Sequence, residues 1–370
     1  MNTRLRLAAY VTLLLATVAA CASPPTEAPL APAPTATPKA EPATPTLRPF
    51  GGTVEKGQIT STALAGNLLG DPTTRDFYVY LPQGYDSSTK RYPVVYVLHW
   101  YTGDETQALR TVSSSMDWLI DKGEVGDMIF VFPDASNKLG GSMYWSSPTI
   151  GDYETYITKE LVQQIDATYR TLPNPESRGV MGCSMGGMGA LHLGLKYPDV
   201  FGVSAPMAAM YDWEHDPEWE IARRFFDVEP HTLGEFKSLS FTTQFFIAVA
   251  AATAANPDNP PFYLDMPFEI VDGEARIVPD VFSKVNAMDP MVDVSAYLNQ
   301  PIRLRNILIY HDTEIGQAAE DAAHSLEAAR QFHETLTKLG IPNEYAEVDA
   351  RHCEFDYSPV LEFMAANLTY

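Results

Sequence analysis

Gly179-Val180-Met181-Gly182-Cys183-Ser184-Met185-Gly186-Gly187 is the stretch on which the reading of this chain turns. Residues 179–182 read as a short strand, and residues 185–196 as a helix that stops before Tyr197-Pro198. Ser184 sits in the tight turn between them, at the centre of a G-x-S-x-G pattern. Such a turn needs small flanking residues, and Gly182, Gly186 and Gly187 supply them. The helix that follows has free backbone N–H groups in its first turn, and that of Met185 could donate to a developing oxyanion. The pentapeptide alone is weak evidence, because a glycine-rich turn with an idle serine looks the same. Its weight comes from the strand before it and the helix after it.

The neighbouring segments supply more of that context. Residues 92–99 (Tyr92-Pro93-Val94-Val95-Tyr96-Val97-Leu98-His99) form a continuous apolar run, as expected of a strand covered on both faces. Residues 76–81 and 128–132 read as two more strands. Tyr153, Ile157, Leu161, Ile165 and Tyr169 recur at helical spacing. Residues 201–205, 307–310 and 344–348 continue the strands, with a long helix over about 318–339 closed by Gly340 and a terminal helix over 359–367. Strands alternating with helices predict an α/β fold with a mainly parallel sheet covered on both sides. Residues 210–300 break the rhythm and are rich in aromatics and prolines, so they read as an inserted cap. The apolar run 245–255 is too short to span a bilayer and reads as a buried cap helix.

A serine nucleophile needs a base, and His352 lies after the last strand, where it can reach over the sheet edge. The other histidines fit less well by position: His99, His192, His215, His231, His311, His324 and His333 fall on strand ends, helices or the cap. An acid should follow the strand at 307–310, because the chain order is Ser, then Asp or Glu, then His. The segment reads His311-Asp312-Thr313-Glu314-Ile315-Gly316, so Glu314 and Asp312 are both candidates, with Glu320 or Asp321 if the loop is long. The second oxyanion donor should come from the loop after residues 94–98, and the backbone N–H of Tyr101 is the candidate.

The N-terminus is a targeting segment. Arg4 and Arg6 precede an apolar stretch, residues 7–20, that is too short for an ordinary span. Val18-Ala19-Ala20-Cys21 reads as a lipobox, with Cys21 as the lipidated first residue of an exported, membrane-anchored lipoprotein. Residues 1–20 are then the signal peptide, 21–50 a Pro/Ala/Thr-rich tether without a core, and 51–370 the enzymatic domain. The net charge of −22 argues against nucleic acid and against docking on anionic lipid by charge, which leaves the lipid anchor as the membrane contact. No metal motif of the H-E-x-x-H or paired C-x-x-C kind occurs, so neither metal nor cofactor is expected. The oligomeric state is left open.

The segments at 76–86 (with Leu81-Pro82-Gln83-Gly84-Tyr85-Asp86), 92–99, 182–191 and 197–201 (Tyr197-Pro198-Asp199-Val200-Phe201) resemble the putative-esterase family of α/β hydrolases. That family includes esterase D, feruloyl and acetyl-xylan esterases, enterochelin esterases and the mycolyltransferase antigens. The resemblance covers roughly residues 55–370. It implies an α/β-hydrolase fold, Ser184 as nucleophile, His352 as base and the Met185 amide in the oxyanion hole. Two departures stand out. The family usually has Gly after the histidine at position 99, where this chain has Trp100, and its acid is usually an aspartate preceded by Gly-Thr, where this chain reads Asp312-Thr313-Glu314.

Cys183 precedes Ser184 and Cys353 follows His352, an arrangement that resembles the tannase and fungal feruloyl esterase family, where the two cysteines pair. The chain has three cysteines. With Cys21 taken by the lipobox, a Cys183–Cys353 disulfide is expected, and export supplies the oxidising compartment. The expected activity is that of an exported serine esterase acting on small-molecule or polysaccharide esters, acetyl or feruloyl esters of carbohydrates among them. An acyltransferase on the same fold, or a surface lipoprotein that binds without catalysis, are the alternatives.

Overall fold

A computed structural model describes residues 51–313 and 319–370. The signal segment, Cys21 and the tether lie outside the described residues, and so does Glu314.

The chain is built around an 8-stranded sheet of order β1-β2-β4-β3-β7-β8-β11-β12. Its strands are β1 (Thr53–Thr60), β2 (Thr74–Leu81), β3 (Val94–Leu98), β4 (Ile129–Pro133), β7 (Arg178–Cys183), β8 (Val203–Met207), β11 (Asn306–Asp312) and β12 (Glu344–Val348). β2 pairs antiparallel with β1 and with β4, and every pairing from β4 to β12 is parallel. The remaining strands form two small pairs, β5 (Ser146–Ser147) with β6 (Gly151–Asp152), and β9 (Phe268–Val271) with β10 (Glu274–Ile277). β3, β4, β7 and β8 are buried along their whole length. That is why their sequences are apolar runs and show no alternation.

Helices cover the sheet on both faces, and two separate apolar clusters fill the spaces between. α4 (Met185–Lys196) packs against β7 and β8 within one cluster. α1 (Glu105–Lys122) and α11 (Ser358–Asn367) pack in the other. The expected helix from Tyr153 is present as α2 (Tyr153–Thr155), a π-helical turn (Tyr156–Leu161) and α3 (Val162–Thr168), with Tyr153, Ile157, Leu161 and Ile165 fully buried.

α1 was not anticipated from the sequence. Asp104 caps its first turn by accepting from the Gln107 N–H, and Gly123 closes it in the left-handed conformation. Between those caps, Ala108, Leu109, Val112, Met116 and Leu119 fall on one buried face.

Between β8 and β11 the chain leaves the sheet. It forms α5 (Glu218–Phe225), α6 (Leu233–Ser238), α7 (Phe241–Thr253), the β9–β10 hairpin, α8 (Pro279–Val285) and α9 (Pro290–Tyr297). The run 245–255 lies mostly in α7, which ends at Thr253, and Phe246 to Ala251 are buried, with Phe246 against Trp213 and Trp219. Among the described residues no helix is long and apolar enough to cross a membrane. α10 (Ala319–Lys338) then returns the chain to β12.

One boundary matters for the site. The sequence places His311 and Asp312 in a loop, but β11 runs two residues further, through Asp312. Parallel pairing with β12 continues to Asp312–Val348, and the Thr313 N–H donates to the Val348 carbonyl at 2.9 Å. The ladder thus holds Asp312 on the rigid end of a strand.

Candidate active site

Ser184 has φ 58° and ψ −122°, a conformation that a residue with a side chain occupies only under constraint. Three close backbone approaches impose it. A Cβ on Gly182 would lie 2.5 Å from the Gly186 carbonyl oxygen, one on Gly186 would lie 2.2 Å from that of Leu98, and one on Gly187 would lie 2.3 Å from that of Met207. The Ser184 N–H donates to the Met207 carbonyl at 2.9 Å, which ties the turn to β8. The glycines are therefore required by packing of the turn between β3 and β8. The result is a half-buried serine held at the start of α4.

His352 sits in a short turn after β12. The turn is closed by the Glu354 N–H donating to the Arg351 carbonyl at 2.9 Å, and Cys353 within it has φ 60°. Cys183 and Cys353 are joined by a disulfide, so the residue before Ser184 is covalently tied to the residue after His352. The Tyr357 hydroxyl donates to the Cys353 carbonyl at 3.2 Å and anchors the turn to α11. Ser184 and His352 line one cleft together. The buried Asp312 carboxylate reaches to 3.6 Å from His352 Nδ1. The structure thus brings Ser184, His352 and Asp312 to one place at the C-terminal ends of β7, β12 and β11. Glu320 and Asp321 fall in the first turn of α10.

Tyr101 also lines the cleft. Its ring is buried edge-on against Phe241 and Phe245, and its hydroxyl donates to the Leu139 carbonyl at 2.8 Å. Gly140 and Gly141 make room for that ring, since a Cβ on Gly140 would lie 2.7 Å from it. Its backbone is therefore well fixed.

The role of His99 was not legible in the sequence. Its Nε2 accepts from the Ala135 N–H at 2.9 Å, and its Nδ1 lies 2.9 Å from the Trp100 carbonyl. Burial pushes its pKa below the ordinary histidine value. A neutral imidazole that accepts at Nε2 and donates at Nδ1 satisfies both contacts. His99 thus braces the loop that carries Tyr101, and the Tyr144 hydroxyl secures the same loop by donating to the His99 carbonyl at 3.0 Å.

Two other histidines are accounted for by local pairing. His311 Nε2 lies 2.9 Å from the Ser325 hydroxyl. His192 is buried on α4, stacked on Trp145 with 3.4 Å between ring centroids. Its Nδ1 lies 2.7 Å from Asp293 on α9, and its Nε2 lies 3.5 Å from Glu154 on α2.

The cleft floor is apolar, from Met188, Ala208, Ala209, Met210 and Phe245. Asp216 and Glu218, from the segment that opens α5, complete one side of it. Among the described residues no group of three His, Cys, Asp or Glu side chains could hold a metal ion.

The parallel sheet and the strained strand–turn–helix serine define an α/β hydrolase. Residues 71–233 match the family model described as "Putative esterase". It is 34% identical over 125 residues to an esterase of Mycobacterium tuberculosis (strain H37Rv), a match covering 32% of this chain and 25% of that protein. It is 32% identical over 157 residues to an endo-1,4-beta-xylanase/feruloyl esterase of Xylanibacter ruminicola, covering 40% of this chain and 21% of that protein. The chain thus spans about a quarter of the length of these two relatives. A solved ferulic acid esterase superposes with TM-score 0.53 at 21% identity, over 86% of this chain and 100% of that one. At that identity the likeness speaks for the fold.

Proposed function

We propose that this chain is a serine carboxylic-ester hydrolase that acts through an acyl-enzyme on acetyl or feruloyl esters of carbohydrates. The observation that carries the reading is the strained Ser184 turn sharing a cleft with His352, whose Nδ1 faces the buried Asp312 carboxylate. His352 takes the Ser184 proton as the hydroxyl oxygen attacks the ester carbonyl. The oxyanion sits between the Met185 and Tyr101 N–H groups. His352 returns the proton to the leaving alcohol, and water then releases the acid by the same steps in reverse. Asp312 holds the imidazole in the required tautomer and stabilises its charged form.

The carbohydrate part of the proposal is supported by the xylanase/feruloyl esterase relative. The lipobox at Cys21 and the tether support export and anchoring at a membrane surface. The disulfide fits an oxidising compartment.

The test is labelling by a fluorophosphonate together with rates on acetyl, butyryl and feruloyl esters. Ser184→Ala should abolish both labelling and turnover. Asp312→Asn should lower kcat by about 10³–10⁴, and Glu314→Gln should leave kcat within about twofold. Negligible rates of the unaltered protein on every ester would sink the esterase reading. Loss of turnover in Glu314→Gln with Asp312→Asn active would reassign the acid.

A further inference from the structure

Ser184 and His352 open onto two recesses. The first runs under the cap, floored by Met188, Met210 and Phe245. The second lies on the other side of Tyr101 and Phe241, which line both, and is walled by Trp100, Thr111, Glu354 and Phe355. An ester has two halves, and proton transfer tells the recesses apart. The leaving oxygen must come within hydrogen-bond reach of the base that reprotonates it. Both recesses reach His352, but only the second is walled by the base's own turn, since Cys353, Glu354 and Phe355 directly follow His352. It therefore receives the alcohol half, and the apolar recess under the cap receives the acyl half.

The second recess has a definite chemistry. Trp100 and Phe355 are half-buried aromatic walls, and Thr111 and Glu354 add a hydroxyl and an exposed carboxylate. A plain alkyl alcohol would offer that carboxylate no hydrogen-bond donor. An anionic alcohol would be repelled by it. A sugar ring presents C–H groups to an aromatic wall and hydroxyl donors at its edge, which matches both kinds of surface.

Trp100 is held in place for this. Its carbonyl accepts from the Gly103 N–H at 2.9 Å. A Cβ on Gly103 would come 3.0 Å from its indole Nε1, so the ring packs over that glycine. His99 fixes the residue before it. The recess has a volume of about 380 Å³, enough for one ring.

We infer that Trp100, Phe355, Thr111 and Glu354 form a subsite for the sugar ring of the leaving alcohol, with Trp100 as its stacking wall. The inference rests on the esterase reading above and adds the side of the nucleophile on which the sugar sits.

The test compares two esters with the same acyl group, one of arabinose and one of methanol, by their kcat/KM ratio. Trp100→Ala should lower the sugar-to-methyl ratio at least tenfold, and Trp100→Phe should restore most of it. Glu354→Gln, on an exposed position that tolerates change, should lower the ratio several-fold. Free arabinose should inhibit the unaltered enzyme competitively, and Trp100→Ala should weaken that inhibition. A ratio unchanged in both the Trp100→Ala and Glu354→Gln variants overturns the subsite while leaving the esterase reading intact. Failure of the unaltered protein to cleave either ester overturns the esterase reading itself.

Discussion

Breaking the Cys183–Cys353 bond should cost both stability and turnover, and the two costs are separable. The bond links residues 170 apart in sequence. In the chain-entropy model, closing a loop of that length removes unfolded-state freedom equivalent to about 5 kcal/mol at 25 °C. Unfolding entropy near 60 °C is about 2.1 cal/mol/K per residue, so for a domain of roughly 320 residues Tm should fall by about 7 °C. The second cost is geometric. The Arg351–Glu354 turn, the Tyr357 contact and the Asp312 carboxylate also position His352, but the disulfide is the covalent link between its turn and that of Ser184. A displacement of the base by about 1 Å is enough to lower turnover some hundredfold. The assay is calorimetry of the unaltered protein with and without reductant, beside Cys183→Ala/Cys353→Ala. kcat and KM are measured well below the lowered Tm, so that the folded state is compared. The expected result is a Tm drop of several degrees and a kcat loss, with KM changed little. A Tm drop under about 2 °C with unchanged kcat would refute the clamp, because both the loop entropy and the positioning argument would then have failed.

Two further predictions follow from packing and charge. Gly186→Ala puts a Cβ against the Leu98 and His99 carbonyls, which are backbone atoms of β3 and the loop that follows it and cannot swing away. It should destabilise the fold by about 1–3 kcal/mol and lower kcat more than it raises KM, as read by denaturant unfolding and steady-state rates. The His192 cluster predicts a pH signature. Burial disfavours the charged imidazole, but the Asp293 and Glu154 carboxylates outweigh it and hold the His192 pKa above the ordinary value. Burial likewise works against the Glu154 carboxylate, but His192, Lys196 and Tyr197 bring it down to about 2. His192 therefore contributes stability that is complete below about 6.5 and is lost as pH rises through its raised folded pKa. Glu154 contributes stability that is present above its ordinary value and is lost as pH falls towards about 2. The Tm gap between the unaltered protein and His192→Gln should be widest near pH 5–6 and shrink at alkaline pH. A gap independent of pH would show that His192 acts by packing alone.

The Ser184 turn was legible because its constraints are local. A strand, a Gly-flanked serine and a helix occupy consecutive residues, and the glycines announce close approach before any partner is known. The buried strands were legible for a similar reason, since burial on both faces leaves an unbroken apolar run. Even the cysteine pairing could be reached by elimination, because few cysteines were left to choose from. α1 was missed although its caps and its apolar spacing are both in the sequence.

The acid was different. Asp312 and Glu314 lie two residues apart and are chemically equivalent as orienters of an imidazole. The placement of Asp312 comes from the length of β11, and that length comes from pairing with β12, more than thirty residues downstream in the chain. The ladder carries Asp312 to the sheet edge beside His352. The same holds for His99 and His192. Their partners come from distant segments, Ala135 for one and Glu154 with Asp293 for the other, so position along the chain gave no sign of the brace or the cluster.

The α/β architecture, the serine turn and the histidine loop are thus legible in the residues alone, because they are written in periodicity and in short-range turn chemistry. The approach of the Asp312 carboxylate to 3.6 Å from His352 Nδ1, and the opening of Ser184 onto two recesses, came from the folded chain alone. Both depend on side chains brought together by strand register and by loops that meet across the sheet edge, which no local pattern encodes.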